Sequence, residues 1–141
     1  MTSRTHFDAF KARLVADATL SVHDTIAPRN TDGTLLYDAY VIVFGGGAEM
    51  LDDERATAPN RVNSTVEYVY TTRSVAPDPA GCRSVHDHVA TQVAGYVLTI
   101  AGRSCRPIRL TGGDANPLAD DSVRKPLYFM DDEWTLVTDP T

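Results

Sequence analysis

The N-terminal stretch of the chain places hydrophobic residues among polar ones at helical spacing. Its hydrophobic members follow the i, i+3, i+7, i+8 pattern of one buried helix face: Phe7, Phe10, Leu14 and Val15. Ser3 or Thr5 is a suitable cap because a hydroxyl accepts a hydrogen bond from the first helical turn. We therefore expect a short amphipathic helix here, followed by a short extended piece at Ser21–Ile26.

A second and longer helical pattern occupies the middle of the chain. Asp78 stands at a cap position and Pro79 at the first helical position, where a missing N–H leaves no hydrogen bond unmade. Hydrophobic residues then recur at helical intervals: Cys82, Val85, Val89, Val93, Tyr96 and Val97. This pattern predicts the main helix, over about Pro79–Leu98.

Four segments have the composition of strands. Leu35–Phe44 is rich in β-branched and aromatic residues, and Thr65–Arg73 alternates as a half-buried strand does. Ser104–Leu110 and Leu127–Val137 are predicted to be two further strands. Two strands before the main helix and two after it favour an α+β fold, with a mainly antiparallel sheet of about four to five strands and two helices packed on one face.

Two long segments between these elements are predicted to be loops, Gly45–Asn63 and Thr111–Pro126. Both combine glycine and proline with acidic residues. Loops of this length in a compact domain are usually functional or disordered. The candidate contact residues that they carry are Gly45, Gly46, Gly47, Asp52, Asp53, Glu54, Asp120 and Asp121.

Length and charge limit the classes of function. A chain of 141 residues fits one domain, residues 1–141, with one core. The formal net charge of -6 and the scattered Lys and Arg residues argue against direct recognition of nucleic acid. The N-terminus lacks the apolar run of a secretory signal, and about 18 consecutive apolar residues occur nowhere. We therefore expect a soluble protein made in a cytosol, with no membrane contact.

The sequence carries no motif that specifies a reaction or a cofactor. Gly45-Gly46-Gly47 follows a strand, but Met50 stands where a dinucleotide fingerprint needs its third glycine. Cys82 and His86 share a helix face, yet a zinc site needs four ligands and no second pair is present. We predict a buried cysteine beside a histidine at a polar edge, solvated acidic groups, no metal or cofactor, and no enzymatic activity.

In the order and spacing of its segments the chain resembles the tail terminator, or tail completion, proteins of long-tailed actinobacterial phages. The resemblance covers most of the chain and is carried by His6–Leu14, Val66–Val75, Ala80–Leu98 and Ala101–Ile108. The sequence differs from typical members in its long Gly45–Asn63 segment with three consecutive glycines.

The resemblance implies a structural virion protein with no cofactor. Members of this family form a hexameric ring at the head-proximal end of the tail tube, stop its polymerisation and present a surface to the head connector. The implied partners are copies of this chain, the tail tube protein and head–tail connector proteins, and the implied site of assembly is the host cytoplasm. Two alternatives remain open: another head–tail connector or minor tail protein, and a monomeric ligand-binding or enzymatic α+β domain.

Overall fold

The computed structural model of the chain describes residues 3–50, 65–122 and 125–141. Within them two helices and seven strands form an α+β fold, which confirms the predicted fold class. The elements in chain order are α1 (Ser3–Val15), β1 (Val22–Asp24), β2 (Tyr40–Met50), β3 (Val66–Ala76), α2 (Pro79–Val93), β4 (Arg103–Cys105), β5 (Arg109–Gly113), β6 (Leu118–Asp120) and β7 (Leu127–Pro140).

The sheet is mixed, mostly antiparallel and curled, and its longest strand is β7. One edge of β7 pairs with β3, from Val66 opposite Thr138 to Ala76 opposite Tyr128. The other edge pairs in succession with β6, β5 and β4. On the far side of β3 lies β2, and β1 pairs in parallel with β2. The sheet therefore ends in β1 on one side and in three short strands on the other.

The main core lies between one face of the sheet and both helices. Because side chains alternate along a strand, every second residue of β2, β3 and β7 contacts this core. Its largest strand and helix members are Phe10, Leu14, Val41, Val43, Tyr68, Tyr70, Val89, Val93, Trp134 and Leu136. The opposite face, called here the outer face, carries a smaller cluster around Tyr40, Ile42, Val75 and Leu127.

The start of α2 is confirmed, whereas its predicted end is wrong. Asp78 caps the helix, and its carboxylate accepts a hydrogen bond from the Gly81 N–H at 2.5 Å. The helix ends at Val93 because Ala94 is extended and Gly95 adopts φ +73°, a conformation that favours glycine. The Gly95 N–H then bonds to the carbonyl of Ile108 instead of continuing the helix.

Three hydrophobic residues that the helical patterns placed in the core are exposed instead. Tyr96 and Val97 follow the end of α2, so they no longer share its buried face. Val15 is the last residue of α1 and its accessible surface is 55% exposed. His6, which the pattern did not include, is buried and contacts Thr138 at 3.0 Å.

All four predicted strands have different bounds: β3 and β7 each end three residues later than predicted, and the other two differ more. The strand predicted at Leu35–Phe44 begins at Tyr40, because Leu35 forms an isolated bridge with Arg29 that closes a turn. The strand predicted at Ser104–Leu110 is divided into β4 and β5, with Pro107, which lacks an N–H to donate, between them.

Both predicted long loops are partly wrong. Gly45–Met50, the first part of the Gly45–Asn63 loop, belongs to β2 and pairs with β3. The Thr111–Pro126 loop contains the end of β5 and all of β6, both paired with β7. Short strands rich in glycine and small residues lack the alternating pattern by which a strand is recognised in sequence, which explains the error.

Candidate functional site

The three consecutive glycines form a bulge within β2. The register with β3 shifts between Gly45 and Gly47, so Gly46 is the additional residue. Gly45 and Gly46 have φ near +95° and +94°, and a Cβ on Gly45 would lie 3.0 Å from the Val69 carbonyl oxygen. The backbone geometry therefore explains why glycines stand at 45 and 46, and they form no anion-binding turn.

The acidic candidates lie in different surroundings. Asp120 ends β6, and the Ser122 hydroxyl and N–H both bond to its Oδ1, which holds the pKa of Asp120 below its usual value. Asp121 lies in the following turn and is exposed. The third group, Asp52, Asp53 and Glu54, lies outside the described residues.

A cleft opens on the outer face between the β1 end and the centre of the sheet. It has a volume of about 370 Å³, and we call it the outer cleft: it is lined by Thr25, Ala27, Ile42, Phe44 and Arg73. Thr25 has φ +65°, which is unusual for a β-branched residue and fixes the path of the chain at the rim. The neighbouring Ile26 is 72% exposed.

Arg73 is the charged residue of the outer cleft. Its Nε and Nη2 donate to the two carboxylate oxygens of Asp131 at 2.8 and 2.9 Å, a bidentate pair across β3 and β7. The guanidinium also lies over the ring of Phe129, 4.8 Å from its centroid, and 5.8 Å from that of Phe44. The Arg73 side chain remains 41% exposed, so its guanidinium is accessible from the cleft.

Two leucines are exposed on the short strands that pair with β7. Leu110 on β5 is 56% exposed and Leu118 on β6 is 49% exposed. Both strands pair with the edge of β7 that faces away from β3. Leu110 lies opposite Trp134, on the helix side of the sheet, whereas Leu118 lies opposite Phe129, on the outer face. Sequence reasoning counted Leu110 as part of a strand, and no signal distinguished it from a core residue.

His86 forms a buried contact rather than a metal site. Its Nε2 lies 2.7 Å from Oδ2 of Asp132, whose side chain is 2% exposed. Where the histidine is protonated, the two groups form an ion pair. Burial raises the pKa of the Asp132 carboxyl, and the charge of His86 lowers it.

The predicted buried cysteine is confirmed. Cys82 packs with Ala76 and Met130, and its thiol donates to the Ser74 carbonyl. Cys105 is half-buried. Within residues 3–50, 65–122 and 125–141, no three His, Cys, Asp or Glu side chains converge as metal ligands do. Neither described helix combines the length and the apolar character needed to cross a membrane.

Comparison with solved structures shows a similar fold in a phage-like virion. No family model matches the chain, and no curated protein matches its sequence. A chain from a solved structure of the virion of a native gene transfer agent particle is similar to it with a TM-score of 0.64. The two are 14% identical, and the match covers 94% of this chain and 92% of that chain. The likeness therefore concerns the whole fold.

Proposed function

We propose that the chain is a structural protein of a phage-like virion. The observation that carries this proposal is the fold, which a virion chain of a gene transfer agent particle shares over nearly its full length. A shared fold alone does not fix a function. The exposed apolar residues on the two sides of the sheet also suit a protein that contacts several neighbours at once.

The specific role is that of a tail terminator. Copies of the chain form a hexameric ring at the head-proximal end of the tail tube, end its polymerisation and join the tail to the head connector. The support is the resemblance of His6–Leu14, Val66–Val75 and Ala80–Leu98 to that family. A closed ring formed by head-to-tail contacts presents different faces to tube and connector, as this role requires.

Acidic residues of this chain select basic surfaces on these partners. Asp121 is exposed in the described part, and Asp52, Asp53 and Glu54 lie in the segment between β2 and β3. Complementary charge raises the rate of association and weakens with added salt. Replacing Asp121 by asparagine should therefore slow binding to the tube protein at low salt and have little effect at high salt.

The decisive experiment is polymerisation of the tail tube protein with and without this chain. We expect shorter tubes, each with a ring of six copies at one end in electron micrographs. Tubes of unchanged length and with bare ends would contradict the terminator role. The buffer without the chain, and the chain after heat denaturation, serve as controls.

A second candidate is another head–tail connector or minor tail protein. The fold similarity favours it equally, because the similar chain comes from a complete virion, which contains proteins at several positions. A connector should bind purified heads and leave tube length unchanged. Binding to heads but not to tube ends would therefore favour this candidate over the terminator.

A further inference from the structure

We draw no further inference here: the strongest candidate, the outer cleft with the exposed Ile26 at its rim, carries nothing because the acids that act on its Arg73 belong to the same chain and nothing in the described part of the chain shows what covers the cleft.

Discussion

Replacing His86 by alanine is predicted to leave the buried carboxyl of Asp132 without the partner that lowers its pKa. His86 reaches from α2 to Asp132 on β7, with 2.7 Å between Nε2 and Oδ2. The other charged groups that act on Asp132 are Asp114, near β5, and Asp131, and both carry negative charge that raises its pKa further. The histidine is therefore the group that lowers the pKa of this carboxyl.

The expected loss is about 2–3 kcal/mol of unfolding free energy at neutral pH. Removing one partner of a buried ion pair costs about 3–5 kcal/mol. We take a lower figure because His86 is 24% exposed, so water reaches the site in the variant. A domain of this kind has a total stability of roughly 5–15 kcal/mol. The variant should still fold.

The loss should depend on pH in a defined direction. Burial raises the pKa of Asp132 in the folded state above the ordinary value of 3.8. Below that value the carboxyl is protonated in both states and the substitution costs little. As pH rises above 3.8 toward the raised folded pKa, the carboxyl ionises in the unfolded chain before it ionises in the folded one, so the folded state loses stability. Without His86 the folded pKa is raised further, so the loss caused by the substitution develops above about pH 4.

Trp134 gives the assay, because it is the single tryptophan and is buried two residues from Asp132. For a urea slope of about 2 kcal/mol per molar, the midpoint should fall by about 1 M at pH 7. The double variant His86→Ala/Asp132→Asn is the control, since it has no carboxylate to ionise and should lose the pH dependence. Equal midpoints for His86→Ala and wild type at pH 7, or the same loss at pH 4 and pH 7, would refute the reasoning.

Three further predictions concern single sites. Gly46→Ala should lower the unfolding free energy by about 1–3 kcal/mol, because an alanine is strained at a φ of +94°. The control is Gly47→Ala, whose Cβ would meet no described atom within 4 Å and which should have a small effect in the same urea titration. Asp78→Ala should cost about 1 kcal/mol by removing the cap of α2, and a stability equal to wild type would contradict that role. Burial raises the pKa of the Cys82 thiol to about 11, so iodoacetamide at pH 8 should modify Cys105 first. Equal rates of modification of the two cysteines, measured by mass spectrometry on the native protein, would contradict this.

The fold was largely predictable because its core elements are periodic. The cap at Asp78, the helical spacing of Cys82–Val93 and the alternation of Thr65–Arg73 are local patterns, and the structure confirms each. The end of α2 was not predictable, because it depends on a hydrogen bond from Gly95 to Ile108, a residue distant in sequence. Patterns within a window cannot include such a partner.

The candidate site was much less predictable. The glycines at 45 and 46 were assigned to a loop, because a bulge and a loop both require positive φ and look alike in sequence. Arg73 was counted as the last residue of a strand, and its cleft exists because residues 25–27 pass over the outer face near Ile42. A surface formed by segments distant in the chain leaves no periodic signal.

The two bulges bear on the proposed ring of copies of this chain. Both β2 and β5 are interrupted by one, between Gly45 and Gly47 and between Leu110 and Gly112. Bulges twist a strand and disfavour its pairing with another chain, and an uninterrupted sheet across subunits tends to grow without limit. A ring needs a contact with a fixed rotation instead. Contacts through side chains suit that requirement better than strand addition does.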